Sequence, residues 1–208
     1  TINEFGFFFT FLMGMLLIFL PRRFTLVPII MATLYITLGQ HVVIETLTFT
    51  PFRIIILFGW ARLLVRRDFL LTRINIIDKV FISWVVVLIV TGTILQANMH
   101  GLINRLGIAY NALGLYFLFR CLVRDLDDIE RAFKIILILS IPLAMFMLIE
   151  RSTGLNIFAI FGGVPFWTVE REGALRAQGT FAHAILAGTF GASWLPIFIV
   201  MWFKGKTG

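Results

Sequence analysis

Hydrophobic residues occur in long continuous runs along this chain, and most polar residues are confined to the short segments between the runs. The runs are apolar around the whole helix circumference and lack the every-second-residue alternation of a transmembrane β-strand. Runs of this kind are typical of helices that cross a lipid bilayer. The pattern predicts seven spans, at residues 5–20, 24–39, 51–65, 80–97, 106–123, 132–149 and 183–203. We therefore expect an all-α, polytopic bundle of transmembrane helices.

The composition is that of an integral membrane protein. Hydrophobic residues make up 60% of the 208 residues, and the mean hydropathy is +0.97. A soluble domain of this length cannot accommodate so much apolar surface. We expect residues 1–208 to form a single transmembrane domain that is the N-terminal part of a longer protein.

Basic residues are distributed unequally between alternate loops. The chain has 18 Lys and Arg against 11 Asp and Glu, and 13 of the basic residues fall on one side of the predicted spans. The other five are Arg53, Arg105, Arg151, Arg171 and Arg176. Because cytoplasmic loops are enriched in Lys and Arg, the larger set is expected in the cytoplasm. Membrane orientation therefore explains the net charge of +7, and we expect no nucleic-acid binding.

The sequence contains no pattern that indicates a disulfide or a metal site. Cys121 is the single cysteine, and neither a CxxC nor an HExxH motif occurs. A lone cysteine excludes an intrachain disulfide and every cysteine-cluster metal site. We expect neither a metal nor another cofactor.

Segment 150–182, before the last span, is too long to be a simple connector. The distribution of basic residues places it on the external side of the membrane. Large apolar residues in its first half favour a position at the bilayer surface. They are Ile157, Phe158, Ile160, Phe161, Val164, Phe166 and Trp167. We therefore expect an external loop that lies in the membrane interface.

Polar residues gather where this segment leads into the seventh span. The polar group lies within a short stretch and consists of Arg176, Gln178, Gly179, Thr180 and His183. Gly179 permits a tight approach, and Thr180 is expected to cap the helix that follows. Free backbone donors at a helix start attract anions, and an arginine fork matches phosphate oxygens in two-point contact. The segment therefore predicts an anionic head group held at the external surface.

The candidate polar residues also have structural interpretations. Arg176 could extend to the phosphates of membrane lipids, and His183 could be a capped interfacial histidine bonded to a neighbouring backbone group. Arg53 lies in the first turn of the helix that Pro51 opens, where its side chain can reach the interface or a cavity. Asn111, inside the fifth span, is expected to form an interhelical hydrogen bond.

Three short stretches form a specific combination. They are Arg176-x-x-Gly179-Thr180-Phe181-x-His183 followed by Gly188, Glu150-x-x-Thr153-Gly154-x-Asn156-x-Phe158, and Thr50-Pro51-Phe52-Arg53. The combination resembles the O-antigen ligase and O-antigen polymerase family of bacterial inner-membrane proteins. The likeness in topology covers the whole chain, and these stretches are its specific part.

The resemblance implies a metal-independent glycan transferase. Members of the family move a glycan from an undecaprenyl-diphosphate carrier to the lipid A core or to a growing glycan chain, at the periplasmic face. Arg53 and Arg176 would then contact the diphosphate, and loop 150–182 would be periplasmic. The supporting residues would be Gln178, Gly179, Thr180 and His183. Since the family has further helices and a second large periplasmic loop, this chain would be the N-terminal half of an enzyme and inactive alone.

Two other classes of protein have a similar composition. A lipid or polysaccharide transporter would also have many helices and external arginines, but it is expected to carry polar residues at mid-membrane along a pathway. A non-catalytic membrane scaffold would need no external arginine cluster. A second long external loop rich in Arg, His and Tyr in the downstream sequence would favour the transferase. An inverted repeat of the seven spans would favour the transporter.

Overall fold

The computed structural model describes residues 3–37, 39–40, 42–44, 47–67, 74–96 and 98–207. This part of the chain forms α-helices and two short antiparallel hairpins. The helices are α1 (Glu4–Phe19), α2 (Leu26–Tyr35), α3 (Pro51–Arg66), α4 (Ile76–Gln96), α5 (Met99–Leu122), α6 (Leu126–Thr153) and α7 (Ala184–Thr207). The hairpins pair β1 (Val42–Ile44) with β2 (Leu47–Phe49), and β3 (Glu170–Arg171) with β4 (Ala174–Leu175). The prediction of a helical membrane protein is confirmed.

Four helices, α4 to α7, are long and apolar enough to cross a membrane. The helices α1 and α3 have 16 residues each and are shorter than a typical span. Helix α2 has only 10 residues, so it rises about 15 Å, roughly half the thickness of the hydrocarbon core. The prediction of a second helix over residues 24–39 is therefore wrong in length.

Helices α5 and α6 begin well before the spans 106–123 and 132–149 that the hydrophobic pattern predicts. Asn98 accepts a hydrogen bond from the N–H of Gly101 at 2.6 Å and caps α5, so residues 99–105, which precede the predicted span 106–123, are helical. Asp125 caps α6 by accepting from the N–H of Asp128 at 2.8 Å. Hydropathy detects the apolar run, whereas a capped first turn is polar and lies outside it.

The core is formed where α1, α2, α3, α5 and α6 meet. Its most deeply buried side chains include Leu17, Ile29, Ile55, Leu118 and Leu143, each at most 2% exposed. Close helix approach depends on small residues, because a Cβ at Gly59 of α3 would clash with Leu118 of α5. By contrast, large apolar residues of α6 and α7 are widely exposed, as a lipid-facing surface requires.

Basic residues collect at one end of the bundle, which we call the basic end. There Arg62, 2% exposed, donates to the carbonyls of Leu17 at 2.8 Å and Leu20 at 2.7 Å, which closes the C-terminus of α1. Arg22 and Asp128 form an ion pair at 2.6 Å beside it. These contacts join α1, α3 and the start of α6.

The opposite end, which we call the loop end, carries the long segment between α6 and α7. The side chain of Asn3, at the start of α1, donates to the carbonyl of Ile160 in this segment at 2.9 Å. Thr37, just after α2, donates to the carbonyl of Gly162. The segment therefore packs against the ends of α1 and α2, and this contact positions the candidate site.

Candidate functional site

The segment that joins α6 to α7, residues 154–183, has a defined backbone path, and we call it the loop segment. Gly154 ends α6 with a left-handed φ of 74° and donates its N–H to the carbonyl of Glu150 at 2.8 Å. A 3₁₀ turn at Ile157–Phe161 and the β3–β4 hairpin follow. Residues 150–153 belong to α6, so the predicted loop 150–182 begins four residues too early.

Glu150, in the last turn of α6, holds the end of the loop segment. Its side chain is among the most deeply buried in the described chain, and the residue is 1% exposed. One carboxylate oxygen accepts from the N–H of Gln178 at 3.0 Å and from the Thr168 hydroxyl at 3.1 Å, and the other accepts from the N–H of Gly179 at 2.8 Å. Such charge-assisted bonds stabilise a carboxylate that has lost contact with water. Glu150 therefore fixes the backbone two residues after Arg176.

Asn156 holds the same peptide from the other side. The residue is 1% exposed, and its side-chain amide donates to the carbonyl of Gly179 at 2.8 Å while accepting from the N–H of Phe158 at 3.0 Å. Gly179 has a φ of 59°, and a Cβ there would come within 3.0 Å of Met147. Only glycine suits both constraints without strain, which explains its place in the sequence.

The predicted helix cap at Thr180 is wrong. Helix α7 begins at Ala184, and the buried Thr180 hydroxyl donates to the carbonyl of Leu34 in α2 at 2.7 Å. The N–H groups of Gln178 and Gly179 donate to Glu150, so they do not form an open cradle for an external anion. The N–H donors expected at the helix start are therefore loop amides, and the carboxylate that accepts from them belongs to α6.

Arg176 and His183 remain exposed on this fixed backbone. The N–H of Arg176 donates to the carbonyl of Val169 at 2.9 Å and continues the pairing of the β3–β4 hairpin. The carbonyl of His183 accepts from the N–H of Leu186 at 3.0 Å, which places His183 at the start of α7. Of the predicted residues in this segment, Arg176 and His183 can meet an external ligand, whereas Gln178, Gly179 and Thr180 are buried and hold the backbone.

Arg53 lies in the first turn of α3, as predicted. Thr50 caps the helix by accepting from the N–H of Arg53, and Pro51 occupies the first helical position. The Nε of Arg53 donates to the side-chain oxygen of Asn111 at 3.4 Å, so the predicted interhelical bond of Asn111 is confirmed. The Tyr110 hydroxyl donates to the carbonyl of Arg53 at 3.3 Å. Helix α5 therefore positions this arginine.

An apolar groove of about 360 Å³ opens beside Arg53, between α3 and α5. Its apolar lining residues include Phe49, Ile54, Leu57, Ile103 and Leu106. Gly107 lets the guanidinium lie close to α5, since a Cβ there would clash with Arg53. The groove thus combines one cation with an apolar wall. This combination is suited to an amphiphile with an anionic head group.

The predicted residues fall into two groups at the loop end. Arg53 is positioned by α5, whereas Arg176 and residues 178–183 are positioned by the loop segment. In the described part of the chain, no three His, Cys, Asp or Glu side chains come together as a metal site requires. Sequence reasoning did not identify Glu150 as the residue that holds the loop. The sequence feature that could have indicated this role is the position of Glu150 at the end of a long apolar span, where an unpaired carboxylate is costly.

Comparison of the chain with protein-family models, with curated proteins and with solved structures gives no match.

Proposed function

We propose that this chain is the membrane domain of a glycan transferase that acts on a polyprenyl-diphosphate-linked saccharide, as O-antigen ligases and polymerases do. The observation that carries the proposal is the setting of Arg176. Its guanidinium is exposed, while its backbone is fixed between the β3–β4 hairpin and the buried Glu150. A planar cation on a fixed support is suited to two-point binding of phosphate oxygens.

Arg53 supports a lipid-linked substrate in particular. It lies next to an apolar groove that opens between α3 and α5. Leu57, 60% exposed, extends the apolar wall toward the surrounding lipid. A diphosphate attached to a long hydrocarbon chain would bind Arg53 through its negative charge and the groove through its apolar chain.

The proposed protein crosses the bacterial inner membrane seven times, with the loop end in the periplasm and the basic end in the cytoplasm. The excess of Lys and Arg at the basic end supports this orientation. Helix α2 would complete its crossing through the residues that follow it, of which Thr37 and Gly39 have non-helical backbone and lie against Gly162 and Gly163 of the loop segment. Irregular backbone at membrane depth is tolerated where it is buried in protein. Exposed Phe166 and Trp167 support an interfacial position for the loop segment.

In the proposed reaction, the acceptor is the lipid A core or a growing glycan chain, and the leaving group is the polyprenyl diphosphate. Negative charge grows on the diphosphate as its bond to the sugar breaks. Arg53 and Arg176 would stabilise this charge more strongly in the transition state than in the bound substrate. Their removal is therefore expected to lower turnover more than binding.

The test is glycan transfer from a polyprenyl-diphosphate carrier to an acceptor by the purified full-length protein in lipid. A charge-assisted contact is worth roughly 1.5 to 3 kcal/mol, so Arg53→Ala and Arg176→Ala should each slow transfer by roughly tenfold to a hundredfold. Arg176→Lys should recover only part of the rate, because a point charge cannot reproduce the fork. His183→Ala shows whether the residue at the start of α7 contributes.

Two arginines outside the proposed site serve as controls. Arg171→Ala removes an exposed cation from the same hairpin, and Arg105→Ala removes a half-buried one, packed against Gly92 of α4, from the loop end of α5. Both should transfer glycan at nearly the wild-type rate. Equal rates for Arg53→Ala, Arg176→Ala and these controls, at equal protein levels, would contradict the diphosphate role and favour contact with membrane-lipid phosphates.

A further inference from the structure

We infer that Glu150 is a positioning residue that acts through Arg176, an inference that rests on the proposed function. The carboxylate does not face the exterior, since Glu150 is 1% exposed. Its effect on a ligand must therefore pass through the groups that it binds. Those groups are the N–H of Gln178, the N–H of Gly179 and the hydroxyl of Thr168.

The backbone on both sides of Arg176 is fixed. On one side Glu150 binds two consecutive N–H groups at 3.0 and 2.8 Å. On the other side, Nη1 of Arg151 donates to the carbonyl of Leu175 at 3.0 Å. Arg176 itself donates its N–H to Val169 at 2.9 Å. Because the support is already ordered, an anion that binds the guanidinium has little backbone entropy to remove.

Glu150 also decides which groups can bind the anion. Consecutive backbone N–H groups in a loop would otherwise be able to bind an external phosphate. Here an internal carboxylate accepts from both of them, and the Thr168 hydroxyl adds a third donor. These two amides are therefore taken by Glu150, and the exposed Arg176 side chain is the cationic group that this stretch of the loop segment offers to phosphate. Correct placement of the Arg176 side chain is therefore the contribution of this stretch to binding.

Glu150→Gln is the informative variant because it preserves the shape of the side chain. A glutamine has one acceptor oxygen, and its NH₂ group is a donor that cannot accept from a backbone N–H. At least one of the N–H groups of Gln178 and Gly179 would lose its partner, and the loop segment would shift. Small displacements of a positioned group can cost up to two orders of magnitude in rate, so we expect binding of a diphosphate to weaken by roughly tenfold.

Thr168→Val is the matched control. It removes one hydroxyl from the same carboxylate and leaves both backbone N–H bonds in place. Its effect on binding should be less than about twofold, since the two bonds nearest to Arg176 remain.

The experiment is a double-mutant cycle that measures the affinity of the purified protein in lipid for farnesyl diphosphate. If Glu150 acts through Arg176, the variant Glu150→Gln/Arg176→Ala binds no more weakly than Arg176→Ala alone. For a residue that only stabilises the fold, the two losses multiply. The pair Glu150→Gln/Arg53→Ala should show multiplied losses, because Arg53 is held by α5.

Hydrogen exchange at Gln178 and Gly179 provides a readout that needs no ligand. Exchange at these two amides should be faster in Glu150→Gln than in the wild type, while exchange in the α1–α3 core should stay unchanged. Unchanged exchange at the two amides, wild-type affinity of Glu150→Gln, or multiplied losses with Arg176→Ala would each overturn the inference. If the cycle behaves as expected but the wild type transfers no glycan to any acceptor, the transferase proposal fails and the positioning role stands.

Discussion

Three charged residues in the described part of the chain are at most 2% exposed, and each has several hydrogen-bond partners. Arg62 donates to the carbonyls at the end of α1. Asp78, 0% exposed, accepts from the Tyr116 hydroxyl at 2.7 Å and pairs with Arg120. Glu150 accepts from three donors of the loop segment. Removing one partner from such a group leaves a buried charge uncompensated, so these positions should tolerate substitution poorly.

At the residue scale, Gly107 offers a way to move Arg53 without changing any charge. A methyl group at this position would clash with the guanidinium, which must then shift away from α5. Gly107→Ala should therefore lower the rate of glycan transfer roughly tenfold, as expected for a charged contact that is weakened and not removed. The helix itself should gain a few tenths of a kcal/mol up to about 1 kcal/mol in stability.

Gly188→Ala is the control for this substitution. It is also a glycine-to-alanine change within a helix, but nothing lies within 4 Å of the added methyl group. Thermal unfolding and transfer rate should both be measured for the two variants. Equal transfer by Gly107→Ala and Gly188→Ala would argue that the position of the Arg53 guanidinium is unimportant.

At the scale of secondary structure, α2 is the element that depends most on its neighbours. Its 10 residues end at Tyr35, and the loop segment binds its C-terminal end. The Thr180 hydroxyl donates to the carbonyl of Leu34, and the Tyr35 hydroxyl donates to the carbonyl of Leu139 in α6 at 2.7 Å. The first bond satisfies a carbonyl that α2 leaves open at its C-terminal end, and the second ties α2 to α6. The loop segment and α2 therefore stabilise each other.

Thr180→Val should destabilise the protein by about 1–3 kcal/mol. The substitution keeps the shape of the side chain but leaves the carbonyl of Leu34 without its hydroxyl donor in a buried site. Thermal unfolding in detergent measures the change. Thr189→Val, which removes an exposed hydroxyl bonded to Ile185 in its own helix, should have almost no effect. Equal melting temperatures for the two variants would show that the hydrogen bond between Thr180 and Leu34 does not contribute to the stability of the protein.

At the scale of the whole molecule, the two ends of the bundle differ in chemistry. The basic end contains ion pairs between a buried aspartate and a partly exposed arginine, such as Asp128 with Arg22 and Asp78 with Arg120. The loop end contains the apolar 3₁₀ turn, the hairpin and the two proposed diphosphate contacts. An asymmetry of this kind is expected when the two ends face different compartments.

Labelling with a membrane-impermeant thiol reagent in intact cells tests the proposed orientation. With the buried Cys121 replaced, single cysteines at Ser152 and Glu172 should react, and one at Asp127 should not. All three positions are exposed in the structure, so differences in labelling report the side of the membrane and not burial. Labelling at Asp127 alone would reverse the orientation and remove the site from the periplasm.

The helical membrane class could be predicted from the sequence because it depends on local composition. Every long apolar run became a helix, and the start of α3 at Pro51 follows from the Thr50 cap. The first turns of α5 and α6 lie outside the predicted spans, because hydropathy does not detect helix caps such as Asn98 and Asp125. The arginines at the loop end, Arg53 among them, could also be predicted as candidates from the sequence, since arginines are rare next to apolar runs.

Only the tertiary structure decided what those residues contact. Glu150 lies 28 positions from Gln178, Arg53 lies 58 from Asn111, and Thr180 lies 146 from Leu34. Sequence periodicity shows which face of a helix is apolar, but it does not specify which distant backbone groups a polar side chain will meet. The same holds for the two loop amides, which donate to the buried carboxylate of Glu150 once the helices pack. It also holds for the end of α2, where the Thr180 hydroxyl donates to the carbonyl of Leu34.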